Sequence, residues 1–252
     1  MGDAVARLRR VIGATWSMTL YPSAGEGGGV FVSARRRPGG GLAGAAVDPE
    51  RSAREAGRRA RAKIRRYCAA NGLNRLGTLT YRPPGQHDPV ALRRDVGVFF
   101  RRLRAGVGGE PLPYVWVPEW HKTGHGLHVH FAVGRFVPRG VINQAWGRGF
   151  ISIKLLGDLP VGSRPRDEAR VAARYLSKYV AKTFEDERLR EGGLHRYEVG
   201  QGFQPVGSRL TGISADALVD SASDRMGGRP KHRWDSWETA GWQGPPAVWV
   251  AW

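Results

Sequence analysis

The stretch that decides the fold runs from Tyr114 to Val133. It reads Tyr114-Val-Trp-Val-Pro-Glu119-Trp-His121, then Lys122-Thr123-Gly124-His125-Gly126, then Leu127-His128-Val129-His130-Phe131-Ala-Val133. This is the pattern of a β-hairpin. Residues two apart in a strand share a face, so His128 and His130 stand together, with Leu127, Val129 and Phe131 behind them. Two imidazoles side by side over an apolar backing are an arrangement that metal sites use. A four-residue loop, Thr123 to Gly126, would pair Lys122 with Leu127, His121 with His128 and Glu119 with His130. That register brings the Glu119 carboxylate onto the histidine face. The competing reading is a pair of surface polar residues on a half-exposed strand.

Elements on either side of the hairpin complete a pattern. Upstream, Leu76 to Tyr81 reads as a strand. Asp88-Pro89 then opens a helix whose Leu92, Val96, Phe99, Phe100 and Leu103 form a buried stripe at helical spacing. Downstream, Pro138 to Trp146 reads as a short helix and Phe150 to Leu156 as a strand. The order strand, helix, strand, strand, helix, strand is the split βαβ pattern. It predicts an α+β fold, ferredoxin-like or RRM-like. A four-stranded antiparallel sheet would carry helices on one face, and an N-terminal strand could make it five-stranded. Leu76–Tyr81 and Leu127–Val133 would be central neighbours, with the histidines on the face opposite the helices.

Two further helices carry charge. Asp48-Pro49-Glu50 is a helix start, and the helix would run to Ala70 and stop at Asn71-Gly72. It bears Arg54, Arg58, Arg59, Arg61, Lys63, Arg65 and Arg66, and its few apolar residues include Ile64 and Tyr67. Pro165-Arg166-Asp167 opens another, to about Phe184. There Tyr175 and Tyr179 share one face, Lys178 and Lys182 an adjoining one, and Arg170 and Arg174 extend the basic row. Taken alone, the tyrosines read as packing residues, and the arginines as a solvated face or as phosphate contacts.

The chain of 252 residues holds 40 Lys and Arg against 22 Asp and Glu, so its formal charge is 40 − 22 = +18. Such a balance points to a polyanionic partner, nucleic acid first. No apolar run approaches a membrane span, and the Arg7, Arg9, Arg10 and Val11–Leu20 segment makes a poor signal peptide. Cys68 is the single cysteine, which excludes an internal disulfide or a multi-cysteine zinc site, and the cytoplasm is the expected location. Residues 1–47 read as a partly flexible extension with a short strand at Val30–Val32 and a basic loop from Arg35 to Gly44. Residues 48–187 form the core with its preceding basic helix. Residues 188–252 are a Gly-, Pro- and Trp-rich extension, whose tryptophans read as an apolar wrap or, alternatively, as stacking platforms for bases.

Together these residues suit one reaction. A tyrosine hydroxyl is a weak nucleophile at neutral pH, and a divalent cation can polarise the phosphate it attacks. Here the sequence resembles a family. Glu119-x-His121-x-x-Gly124-x-Gly126-Leu127-His128-Val129-His130 is similar to the second motif of HUH-type single-strand endonucleases. Thr78-Leu79-Thr80-Tyr81 resembles their first motif and Tyr175-Leu176-Ser177-Lys178-Tyr179 their third. The closest resemblance is to rolling-circle replication initiators of bacterial plasmids and small phages, especially actinobacterial ones.

The resemblance implies the HUH endonuclease fold and a metal-dependent, strand-specific nickase and strand transferase that works through a 5′-phosphotyrosine. It implies His128, His130 and Glu119 as ligands of Mg²⁺ or Mn²⁺. Tyr175 would be the nucleophile and Lys178 its assistant, with Tyr179 a second or the sole nucleophile. Arg58, Arg65, Arg174 and Lys182 would contact DNA. The expected partners are single-stranded or supercoiled origin DNA, and a host helicase and polymerase, since the sequence lacks a Gly-x-x-x-x-Gly-Lys-Ser/Thr motif. The alternatives are a related transposase or relaxase, and a non-catalytic RRM-like module. That module expects exposed aromatics where this chain places histidines.

Overall fold

The computed structural model describes residues 14–33, 49–155, 165–185 and 196–252. The basic loop from Arg35 to Gly44, the Asp48 cap, Leu156 and the residues around Arg7 to Arg10 lie outside them. The chain divides into two compact units: Asp48–Gln204, and Met1–Val47 together with Pro205–Trp252.

The first unit is built on a five-stranded antiparallel sheet. Its strands are β3 (Arg75–Tyr81), β4 (Tyr114–Trp120), β5 (Leu127–Val133), β6 (Gly149–Leu155) and β7 (Glu198–Val199), in the order β6-β3-β5-β4-β7. The first and third strands of the sequence pattern are thus central neighbours. The fifth strand is not N-terminal as expected. It is β7, which pairs Val199 with Val115 and Glu198 with Trp116 at the outer edge of β4.

The hairpin register also differs. Glu119 pairs with His128, Val117 with His130 and Trp120 with Leu127, so the tip spans six residues rather than four. The cause is a contact outside the hairpin. Leu127 N donates to Gln86 O at 2.6 Å, and Gly126 presses so close to Gln86 that a Cβ would lie 2.2 Å from its carbonyl oxygen. Gly126 has φ +74, which a side chain there would strain. The slip is two residues, a full strand period, so Glu119 keeps its place on the histidine face.

Four helices cover the sheet: α1 (Pro49–Asn71), α2 (Pro89–Gly106), α3 (Arg139–Trp146) and α4 (Pro165–Glu185). Asp88 caps α2 by accepting from Val90 N at 2.8 Å, and the stripe Leu92, Val96, Phe99, Phe100 and Leu103 is buried. This helix and α3 pack on Leu79, Val129, Phe131 and Ile151. The helices were expected on that face alone, but α1 and α4 cover the other, over Leu76, Val115, Val117 and Ala132. β4 is apolar on both faces except at Glu119, and every residue of β5 is buried, the two histidines included. A strand of that kind must be covered twice. The histidine face is therefore not opposite the helices; α4 lies across it.

In α1 the apolar edge Ala60, Ile64, Tyr67 and Cys68 is buried. Arg58 stays exposed and Arg65 is half-buried. Gly72, at φ +61, follows the helix in the left-handed conformation that ends it.

The second unit joins the segments read as two separate extensions. β1 (Ala14–Tyr21) and β2 (Glu26–Ser33) combine with β8 (Ser208–Gly212), β9 (His232–Asp235) and β10 (Ala247–Ala251) in the order β8-β1-β2-β10-β9. α5 (Ala215–Met226) packs Leu218 and Ala222 against Met18, Leu20, Val248 and Val250. Ser214 caps it, accepting from Ala217 N at 3.1 Å. The tryptophans are part of this folded unit: Trp234 and Trp249 are cross-strand partners, and Trp234 packs edge-on against Trp242 at 5.3 Å.

Candidate active site

Strand alternation and helix period bring the site together from four elements. On β4 and β5, Glu119 Oε2 lies 3.1 Å from His128 Nε2 and 2.9 Å from His130 Nε2, and the two Nε2 atoms are 3.0 Å apart. His128 and His130 are buried and Glu119 is nearly so. Cross-strand from His130, Thr78 on β3 places Oγ1 3.2 Å from its Nδ1. With Nδ1–H donating to Thr78, the Nε2 lone pair of His130 is directed into the cluster, as an outer hydrogen bond to a metal-binding imidazole does.

On α4, Ala169, Ala172, Ala173, Leu176 and Val180 are buried, and their small size lets the helix lie close to the sheet. That contact turns Tyr175 and Tyr179 toward the histidines. The Tyr179 ring stacks on His130 at 3.6 Å and 18°, and Tyr179 Oη donates to Tyr175 Oη at 2.8 Å. Lys182, one turn further on, donates to Glu119 Oε1 at 2.7 Å and sits 5.3 Å from the centre of the Tyr179 ring.

The electrostatics follow from burial. Desolvation pushes the His130 imidazole down to about 4 against the opposing pull of Glu119, and it also lowers His128. Burial alone would raise the Glu119 carboxyl, but the hydrogen bond and charge of Lys182, together with the adjoining His130, outweigh it and hold the group below its usual range. The Tyr179 hydroxyl is raised by burial and by its bond to Tyr175, so it stays protonated as a donor. At neutral pH the cluster is two neutral imidazoles and one carboxylate.

This donor set fits a divalent metal ion. Three lone-pair atoms 2.9 to 3.1 Å apart repel one another unless a proton or a cation lies among them. Ligands adjacent on an octahedral ion at about 2.1 Å stand about 3.0 Å apart, which is the spacing found here. Among the described residues, Glu119, His128 and His130 form the group that could hold it.

The other expected site residues are placed as follows. Lys178 and Arg174 are exposed on α4, and Arg58 and Arg65 stand on α1 outside the cluster. His121 packs edge-on against His128 at 5.3 Å, and its Nδ1 lies 2.6 Å from Thr123 Oγ1 at the hairpin tip. Two roles escape a reading along the chain. Thr78 orients His130, and Lys154 on β6 holds its amine 5.7 Å from the centre of the Tyr175 ring. The signal for Lys154 was present in the alternation of β6, which puts Ser152 and Lys154 opposite Ile151 and Ile153. Its partner lies on a helix that only the fold brings near.

Among the described residues no helix is long and apolar enough to cross a membrane. No curated protein matches the chain. No solved structure matches it. Residues 74–184, the stretch that supplies β3 to β6 and the whole metal and tyrosine cluster, match the family model of replication-associated protein ORF2/G2P, and this similarity supports a rolling-circle replication initiator.

Proposed function

We propose that the chain is an HUH-type nickase and strand transferase that initiates rolling-circle replication on single-stranded origin DNA. The observation that carries this is the packing of Tyr179 and Tyr175, joined through their hydroxyls, beside His130 of the Glu119, His128 and His130 cluster, in a chain of charge +18. Tyr175 Oη attacks the scissile phosphorus. An oxygen–phosphorus bond forms, the bond to the 3′ oxygen breaks, and the DNA leaves with a 3′-hydroxyl after taking up a proton. The phenolic proton departs to water.

Tyr179, donating to Tyr175 Oη, stabilises the charge that grows there. Lys154 adds a cation beside the ring. A bound Mg²⁺ or Mn²⁺ supplies Lewis-acid polarisation of the phosphate. Glu119 and the two neutral imidazoles provide its seat, and Thr78 fixes one of them. Attack of a 3′-hydroxyl on the phosphotyrosine reverses the step and joins strands. The basic face of α1, with Arg58 and Arg65, together with Arg174 of α4, supplies phosphate contacts. A host helicase and polymerase complete the cycle.

The test is incubation with single-stranded DNA from the neighbouring origin and Mn²⁺, followed by a denaturing gel and mass spectrometry. The expected product is a covalent adduct on Tyr175, lost in Tyr175→Phe and in His130→Ala. An adduct on Tyr179 alone, with Tyr175→Phe still active, reverses the assignment. No adduct under any metal overturns the enzyme reading in favour of a binding module.

A further inference from the structure

We infer that the start of edge strand β6 holds a nucleotide-binding subsite, in which Phe150 stacks a base and Arg82 and Arg139 hold the adjoining phosphates. It rests on the reading of the metal and tyrosine cluster as a single-strand DNA site. A cavity of about 420 Å³ lies here, lined by Arg82, Arg139, Asn143 and Phe150, with Gly147, Gly149 and Ile151 completing it. Phe150 is 64% exposed, so its ring is open to an incoming base. Arg82 is steadied by donating from Nη1 to Gly147 O at 3.2 Å, so part of its guanidinium is fixed in place. Arg139 and Asn143 lie one turn apart on α3 and are both exposed. An aromatic face, two guanidiniums and a carboxamide, with no carboxylate in the lining, match one nucleotide of a single strand. The carboxamide suits the edge of a base.

The register ties this pocket to the reactive centre. Phe150 pairs with Thr80, and Ser152 with Thr78, which also pairs with His130. Phe150, Ser152 and Lys154 therefore share the sheet face that carries the histidines, while Arg139 and Asn143 belong to α3 on the other face, so the pocket spans the outer edge of β6. All three are exposed, and Lys154 is the residue beside Tyr175. Four residues of strand separate Lys154 from Phe150, about 13 Å. A DNA strand laid along β6 from the tyrosines reaches the pocket within a few nucleotides of the scissile phosphate. The backbone leaves no slack at this point, because a Cβ on Gly149 would lie 2.1 Å from Thr80 O. The pocket is thus a fixed distance from the chemistry and serves to set where the strand is cut.

The experiment uses the full chain in a Tyr175→Phe background, with a fluorescent 20-nucleotide thymidine oligomer and a duplex of the same length as probes. Phe150→Ala is expected to weaken single-strand binding about five- to a hundredfold, while Phe150→Trp keeps it. An oligomer carrying 5-iododeoxyuridine should photocrosslink to residue 150. Arg82→Gln with Arg139→Gln should lower the slope of log K against log salt by about 1.4. Single-strand affinity within twofold of the parent in Phe150→Ala, with crosslinks elsewhere, overturns the subsite. Equal weakening of duplex and single strand also overturns it, since a stacking pocket does not read a paired base. If the wild-type chain forms no adduct but Phe150 still crosslinks and carries affinity, the subsite stands and the nickase reading falls.

Discussion

Gly77→Ala tests whether the strand that carries the metal ligands depends on a single missing methyl group. Gly77 on β3 pairs directly with Phe131 on β5, and the Phe131 ring lies across it. A Cβ at Gly77 would sit 2.2 Å from Phe131 Cε1 and Cζ, where ordinary contact begins near 3.4 Å. The ring must move by more than an ångström. It has nowhere to go, being 0% exposed and held edge-on by Phe99 at 5.5 Å and Phe100 at 6.0 Å. Overpacking of this severity falls at the upper end of the usual range, about 3 kcal/mol. His128 and His130 point from the same strand to its other face, so any shift of β5 also displaces the ligands.

Because the chain has two compact units, one overall unfolding curve would mix them, and peptide-level hydrogen exchange is the better assay. Peptides covering Leu127–Val133 should exchange about 150-fold faster, which is about 3 kcal/mol, while those covering Ala247–Ala251 stay at the wild-type rate. Mn²⁺ affinity should fall in parallel. Phe131→Leu, which removes the obstructing ring edge, should be less than additive with Gly77→Ala, with a coupling of at least about 1 kcal/mol. Unchanged exchange in Gly77→Ala, or strict additivity in the double variant, would refute the steric argument.

Three further outcomes follow from the site. In metal-free protein the unfolded chain binds more protons than the folded one between about pH 4 and 6.5, because burial holds His130 down to about 4. Stability should therefore fall by up to about 3 kcal/mol as pH drops through that window, with His128 acting in the same direction; protection of Leu127–Val133 peptides that stays flat from pH 6.5 to 4 in EDTA, after correction for intrinsic exchange, counts against buried neutral imidazoles. Lys154→Gln should slow adduct formation on Tyr175 about tenfold or more and leave DNA affinity little changed, and an unaltered single-turnover rate would remove Lys154 from the mechanism. Neutralising Arg58 and Arg65 together should lower the salt slope of DNA binding without moving the cleavage position; a slope equal to that of the parent would make α1 a solvated face.

Alternation in β4 and β5 and the 3.6-residue period in α2 and α4 are local properties, and they could be read along the chain. They gave the split βαβ order, the central pairing of β3 with β5, the shared face of His128 and His130, and the common side of Tyr175 and Tyr179. Glu119 was placed on the histidine face although its pairing was misjudged by two residues, because a shift by one strand period changes the partner and not the face. What no local pattern contains is the neighbour across space. The hairpin tip is set by Gln86, which precedes it by a helix and a strand. Lys154 meets Tyr175 and Lys182 meets Glu119 only because α4 packs over the histidine face of the sheet, and Thr78 meets His130 through the pairing of β3 with β5. The second sheet shows the same limit most strongly. β1 and β2 pair with β8 and β10 from the far end of the chain, so neither segment alone can satisfy its backbone or bury Met18, Leu20 and Val250. Sequence patterns fix which side of an element a residue occupies; packing between distant elements decides what stands opposite it.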